Sequence, residues 1–269
     1  MKMTERFQVR PGQKVDLRQY DPDFTAGLKS KTDARRRLKE NIDRLAELQY
    51  LLYAENKHAV LLALQATDAG GKDGTIRHVM SGINPQGCRI TSFKVPSAEE
   101  ADHDFLWRIH KAVPGKGEIG IFNRSHYEDV LVVRVHDLVP RAVWSRRYAQ
   151  INAFEKLLAD NGVAILKFYL HISKAEQKAR FEDRIREPRK HWKVNPKDLE
   201  ERKLWDDYMA AYEAALSRCS PAHAPWFIIP ANKKWFRNLA ISEILVETLE
   251  GLDMKFPPPM CDVSKLVVK

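Results

Sequence analysis

Ala63–Thr75 reads ALQATDAGGKDGT. It continues an apolar run, AVLLALQA (Ala59–Ala66), short enough for a strand and apolar enough to be buried on both faces, as in a parallel sheet. Gly70 and Gly71 allow positive φ, and a helix is expected over 74–82. Such a strand–turn–helix brings backbone N–H groups together on an anion. The helix N-terminus adds partial positive charge, and Lys72 can reach a bridging or terminal phosphate. The usual pattern GxxxxGK[ST] is not met: Ala66 stands at the first glycine and Asp73 at the hydroxyl that normally ligates Mg2+. Asp68 inside the loop would repel phosphates unless a cation intervened, which points to a metal ligand or a substrate-orienting group. The plainer alternative is a tight turn with a surface Asp and Lys.

Outward from this turn, helical spacing predicts a helix over 31–56 with Thr32 or Asp33 as N-cap. Strands are predicted over 89–95, 118–122, 163–172 and 226–229. Between and after them, helices are predicted over 101–113, 127–135, 141–161, 174–186, 197–218 and 235–252, and Pro188 ends the one that starts at 174. Strands alternating with helices predict an α/β domain with a mainly parallel sheet and right-handed crossovers.

The chain has 269 residues, 45 Lys+Arg against 36 Asp+Glu, and a net charge of +9. The length suffices for a buried core, and 44% hydrophobic residues exclude a disordered chain. Three distant cysteines, Cys88, Cys219 and Cys261, suggest neither a disulfide framework nor a CxxC metal site, so a reducing cytoplasm is expected. The start, MKMTERFQVR, lacks the apolar stretch of a secretory signal. No apolar run approaches the roughly 20 residues that span a bilayer, so no membrane association is expected.

The surplus charge is uneven. Residues 1–57 carry net +4, 58–166 net +1, 167–203 net +5 and 204–269 net −1. The basic stretch 167–203 is either a solvated helix face or an anion-binding element. Within it Gln177, Arg180 and Arg184 share a helical face. Two arginines one turn apart suit charge on a transferring phosphoryl group, although a helix laced with i,i+4 salt bridges has the same sequence. Arg189, Lys190 and Lys193 extend the strip. Trp192 and Trp205 are expected to pack this segment rather than stack on a base.

The third strand, EIGIF, runs into Asn123-Arg124-Ser125-His126-Tyr127-Glu128. Asn123 stands where P-loop kinases place an acid for Mg2+. The nearest acids are Glu128 and Asp129, so Glu128 with Asp68 is the expected metal pair. Arg124, at a strand's carboxyl edge, is placed for bidentate phosphate binding; an ion pair of Arg124 with Glu128 is the rival. His126 is expected to be structural.

Taken together, ATDAGGKDGT (66–75), IFNRSHYEDVL (121–131), FEDRIREPRKHWK (181–193), LWDDYMAAYEAAL (204–216) and WFIIPANKKWFRN (226–238) resemble the family-2 polyphosphate kinases from about residue 30 onward. The resemblance implies a P-loop-kinase-like three-layer sandwich with a mainly parallel central sheet and a basic helical lid over about 174–203. It places a single kinase domain over 31–256, after an irregular N-terminal arm (1–30) and before a tail (257–269).

It further implies reversible, Mg2+-dependent phosphoryl transfer between inorganic polyphosphate and nucleotides, with Mn2+ as a substitute. Asn-Arg-Ser-His-Tyr-Glu in place of Asp-Arg-Ser-Trp-Tyr-Asn is similar to the subgroup that accepts both AMP and ADP. Asp68, Lys72, Arg124, Arg180 and Arg184 are then the expected catalytic set. Ala69, Gly70, Gly71, Lys72, Asp73, Gly74, Thr75, Arg189, Lys190 and Lys193 bind phosphate. Asp68, Asn123 and Arg124 bind the nucleotide, and Asp68 and Glu128 the metal. Adenine nucleotides, with guanine as a second base, polyphosphate and a second copy of the chain (dimer or tetramer) are the expected partners. Two rivals stand beside this reading: an ATP-dependent small-metabolite kinase, and a non-catalytic nucleic-acid binder. No recognised nucleic-acid motif supports the latter.

Overall fold

The structure, a computed structural model, describes residues 2–268. In chain order the elements are α1 (Met3–Phe7), α2 (Lys31–Glu55), β1 (Ala59–Gln65), α3 (Lys72–Val79), β2 (Cys88–Ser92), α4 (Ala98–Asp102), α5 (Trp107–His110), β3 (Ile119–Asn123), α6 (Val132–Val135), α7 (Arg141–Asp160), β4 (Val163–His171), α8 (Lys174–Arg186), α9 (Pro196–Glu201), α10 (Trp205–Arg218), β5 (Trp226–Pro230) and α11 (Lys234–Glu250). The five strands form one parallel sheet in the order β2-β3-β1-β4-β5. All seven residues of β1 are buried, as an all-apolar central strand requires.

The pleat divides the core into layers. Val60, Leu62 and Leu64 pack with Leu45, Leu48, Phe236 and Ile244 of α2 and α11. Leu61 and Ala63 face the other way, with Phe154 and Leu158 of α7. This is a three-layer α/β sandwich. The connection reverses direction at β1, whose neighbours are β3 and β4. In such sheets ligands bind at that switch point, beyond the carboxyl ends of the strands.

Several boundaries differ from the sequence expectation. Ser30, not Thr32 or Asp33, caps α2, accepting from the Asp33 N–H at 3.1 Å. The single helix expected over 101–113 is split into α4 and α5. Asp104 Oδ1 accepts from Leu106 N at 2.9 Å, an Asx turn that competes with helical pairing. The helix expected over 127–135 is a 3₁₀ turn, His126–Val130, followed by α6. The one expected over 197–218 is likewise interrupted, by a 3₁₀ turn at Arg202–Leu204.

The first thirty residues are more ordered than their composition suggests. Met3, Phe7, Val9, Val15 and Leu17 are buried. Val9 N donates to Trp226 O at 2.8 Å, and Gln8 bridges Phe227 antiparallel to β5. The arm thus covers the β5 edge, which would otherwise present unpaired backbone groups.

Candidate active site

The carboxyl ends of β1 and β3 open into a cleft of about 1510 Å³. After β1, the chain turns through Ala69 (φ 58°) and Gly71 (φ 106°) before α3 starts at Lys72. Two of these positions need glycine. A Cβ on Gly70 would sit 2.4 Å from Ala66 Cβ, and one on Gly71 would sit 1.9 Å from a guanidinium nitrogen of Arg237. No side chain caps α3, so its first N–H groups are left to the cleft. Lys72 Nζ donates to Ala66 O at 3.0 Å and folds back over the turn. Burial, then Arg124, pushes its pKa down, while Asp68, Glu128 and Asp73 act the other way.

Arg124 occupies the left-handed region (φ 64°), a conformation rare for a long side chain. It brings the guanidinium between two carboxylates, donating to Asp68 Oδ1 at 3.1 Å and Glu128 Oε2 at 3.5 Å. Burial opposes its charge, but Glu128 and Asp68 outweigh this and raise its pKa. The ion-pair reading of Arg124 with Glu128 therefore has a geometric basis, and Asp68 joins the pair. Asn123 Nδ2 donates to Asp73 Oδ1 at 2.7 Å, joining the end of β3 to the start of α3.

The three positions expected to share a helical face, two of them arginines expected at phosphate, separate into different roles. Gln177 is buried and donates to Asp68 O at 3.0 Å. Arg180 is 8% exposed. Its guanidinium is occupied by Glu176, by the carbonyls of Ala69 and Gly70, and by those of Ala231 and Asn232. It lines the cleft, but its hydrogen bonds fasten the glycine turn to the end of β5. Arg184 lines the cleft but pairs with Asp198 at 3.3 Å. Arg189, Lys190 and Lys193 also line it, and Lys190 is paired with Asp183. The segment is salt-bridged and also presents basic side chains to the cleft. Trp192, expected to be packed, is 79% exposed at the cleft wall; Trp205 does pack against the core.

The turn that carries Glu128 is anchored from below. His126 Nε2 and Tyr127 OH meet Glu155 Oε1 at 3.0 and 2.9 Å, and Lys167 Nζ reaches Glu155 Oε2 at 2.5 Å, Tyr127 OH at 2.8 Å and Cys219 O at 2.7 Å. His126 is thus a buried structural residue, as expected, with its tautomer set by this network. Burial works against the Glu155 charge, but Lys167 and His126 hold its pKa down.

Arg237 escapes a sequence reading. It lies in the first turn of α11, 2% exposed, beside Gly71 and Gly74. The only hydrogen-bond partner of its guanidinium among the described residues is the adjacent Asn238 Oδ1. Burial and Arg180 push its pKa down to about 9. An arginine stays charged at neutral pH, so this is a cation held without a counter-ion at the cleft wall.

Metal binding can be judged from the donor set. No group of three or more His, Cys, Asp or Glu side chains suited to a metal occurs among the described residues. Asp68 and Glu128 are two carboxylates on one side of the phosphate turn, which fits a cation that takes few protein ligands and completes its shell with phosphate oxygens and water. Both carboxylates contact Arg124, and the neighbouring Asp129 is paired with Arg147 at 2.8 Å.

The sequence profile of the polyphosphate kinase 2 family matches residues 28–257. The chain belongs to that family. It is 53% identical over 266 residues to an AMP/ADP-polyphosphate phosphotransferase of Meiothermus ruber, covering 98% of this chain and 100% of the relative. It is 49% identical to an ADP-polyphosphate phosphotransferase of Rhodopseudomonas palustris, covering 94% and 92%. The crystal structure of polyphosphate kinase 2 from Arthrobacter aurescens superposes with a TM-score of 0.95 at 44% identity, over 98% of this chain and 94% of that one. As a polyphosphate kinase 2 fold, the sandwich puts its phosphate turn, Arg124 and the basic segment 174–203 around one cleft.

Proposed function

We propose that this chain transfers a phosphoryl group between the end of inorganic polyphosphate and adenine nucleotides, AMP to ADP and ADP to ATP, in both directions. The observation that carries the reading is the convergence of the uncapped α3 N-terminus, Lys72 and Arg124 opposite Asp68 and Glu128. They meet in a cleft whose farther walls add Lys31, Arg35, Lys94 and Arg189. That cleft is longer and more basic than a mononucleotide needs, which favours a polyanion as second substrate. The 53% identical relative, named for both AMP and ADP, supports both acceptors. Guanine nucleotides are a further expected acceptor.

A nucleotide phosphate oxygen attacks the terminal phosphorus of the chain. The bond to the bridging oxygen breaks, and polyphosphate leaves one unit shorter. The attacking oxygen is already anionic, so no general base is required. The N–H groups of Ala69, Gly71, Lys72, Asp73 and Gly74, with the Lys72 side chain, cradle the transferred phosphate; those of Gly70 and Thr75 already donate to Thr67 O and Gly71 O. Arg124 holds both reactants in line. Asp68 and Asn123 orient the acceptor. Arg180 acts as a positioning residue through the carbonyls of Ala69 and Gly70. Arg184, Arg189, Lys190 and Lys193 hold the polyanion from the lid.

Asp68 and Glu128 would hold Mg2+, or Mn2+ in its place. Such a cation, when bound, supplies charge neutralisation between adjacent phosphates. We further propose one kinase domain over 31–256 with the arm and tail as attachments, a dimer or tetramer in solution, and a cytoplasmic location. No helix among the described residues is long and apolar enough to cross a membrane.

The deciding assay combines purified protein, Mg2+, polyphosphate and either AMP or ADP, with products separated by chromatography. ADP should form from AMP and ATP from ADP. Absence of one product removes that acceptor. Activity only with ATP and a small metabolite would replace the reading with the metabolite-kinase alternative.

A further inference from the structure

A second cavity, of about 310 Å³, lies on the other side of α6. It shares no lining residue with the cleft. Its walls are Arg134 of α6, Arg141, Trp144 and Ser145 of α7, and Ala214 and Arg218 of α10. Three guanidinium groups from three helices therefore meet at one cavity with no carboxylate in its lining. The cleft and the smaller cavity beside Asp68 and Glu201 both mix cations with acids.

None of the three arginines has an ion-pair partner among the described residues, whereas Arg37, Arg44, Arg124, Arg147, Arg180 and Arg184 all have one. Aromatic rings instead hold two of them in place. The Arg134 guanidinium lies 4.9 Å from the Trp144 ring centre and donates to Tyr148 OH at 3.3 Å. Arg218 lies 5.0 Å from the Tyr148 ring centre. These contacts orient the cations without neutralising them. The Trp144 indole N–H is buried and has no acceptor. Guanidinium forks and an indole N–H, with the Ser145 hydroxyl and no carboxylate beside them, match the oxygens of a phosphate group. The volume sits at the small end for ligand pockets and suits one or two phosphate units rather than a whole nucleotide.

We propose that this cavity is a second anion site, separate from the reaction cleft, that takes a phosphate or pyrophosphate group. The group is either free, or part of a polyphosphate chain or a nucleotide. α6 lines both, with Arg134 in this cavity and Val132 and Val133 at the cleft wall.

The test is calorimetric titration of the full chain with pyrophosphate. Wild type should show two classes of site. Arg141→Ala/Arg218→Ala, both at exposed positions, should lose one class, with affinity there down at least tenfold. The same variant should keep its melting temperature and its phosphoryl-transfer rate. Arg141→Lys/Arg218→Lys should retain weaker binding, which separates lost charge from a disturbed fold. In competition, displacement by long polyphosphate or by ATP at the site missing from the double alanine variant identifies the phosphate source. Equal stoichiometry and affinity in wild type and the double alanine variant would overturn the proposal. So would a site that binds pyrophosphate no better than chloride.

Discussion

Arg124 donates to Asp68 Oδ1 at 3.1 Å from a backbone at φ 64°, so a charged contact of the site is held by a strained residue. Strain of this kind costs about 1 kcal/mol or more and persists where the site needs it. Arg124→Gly relieves the strain while deleting the guanidinium. Its melting temperature should therefore equal or exceed that of wild type, while kcat falls roughly 100-fold or more. Arg124→Ala should lose activity equally without the gain in stability. A Gly variant that is markedly less stable than the Ala variant would mean that the strain argument is wrong.

Arg180 and Arg184 stand one turn apart yet differ in what they touch. Arg180→Ala leaves four carbonyls near the glycine turn without their donor, and it should unfold at clearly lower urea with a loss of roughly 2–4 kcal/mol. Arg184→Ala breaks a partly exposed pair with Asp198. Its stability should stay within about 0.5 kcal/mol of wild type, while KM for polyphosphate rises several-fold. Urea unfolding and steady-state kinetics on the two variants separate these roles. Equal stability of both would refute the fastening role of Arg180.

Gly71 and Arg237 are in contact, so each can be probed through the other. Gly71→Ala demands φ near 106° of an alanine and places a methyl on the guanidinium. It should cost about 1–3 kcal/mol and reduce turnover. Arg237→Gln keeps a polar group beside Asn238 but removes the unpaired cation. It should be at least as stable as wild type, because burial and Arg180 disfavour that charge, and it should bind polyphosphate less tightly. A destabilised Arg237→Gln with unchanged binding would assign Arg237 to structure alone.

How much of this is visible in sequence depends on whether a residue's role is local. The β1–turn–α3 unit is legible because its apolar run, glycines and lysine are contiguous and each answers a local demand. The parallel α/β class follows from the alternation of strands and helices. The order β2-β3-β1-β4-β5 and the insertion of the arm against β5 do not, since pairing partners are set by packing across the whole sheet. Helical spacing puts Gln177 and Arg180 on one face of α8. That this face serves the carbonyls of Asp68, Ala69 and Gly70 depends on how α8 sits over the turn. Arg237 gives no local signal, since α11 also carries Lys234, Glu243, Glu247 and Glu250. The break at Asp104 could have been read from the side chain's preference for an Asx turn.

The buried Lys167–Glu155 pair is a second non-local feature with a measurable consequence. Both side chains are fully buried. Removing only the cation, as in Lys167→Met, leaves a carboxylate in the core and should cost about 3–5 kcal/mol. Lys167→Met/Glu155→Leu should recover part of that loss, while the 3₁₀ turn loses its anchor at His126 and Tyr127, and kcat falls. A double-mutant cycle in urea measures the coupling. Additive effects would show that the pair does not act as a unit.

His171 links the arm to the sheet in a way that pH can switch. It is 7% exposed. Its Nε2–H donates to Tyr20 O at 3.0 Å, while Nδ1 is buried without a partner. Protonation would add an unpaired N–H and a buried charge, and burial accordingly pushes its pKa below 6.5 in the folded chain. The unfolded chain then binds the proton more tightly, so the stability this group contributes is present above about 6.5 and is lost as pH falls below it. Wild type should unfold at lower urea at pH 5.5 than at pH 7.5. In His171→Gln, which keeps a donor for Tyr20 O and cannot titrate, the drop should be smaller. Parallel losses in both proteins would place the pH sensitivity elsewhere, because His171 is the titrating group that the substitution removes.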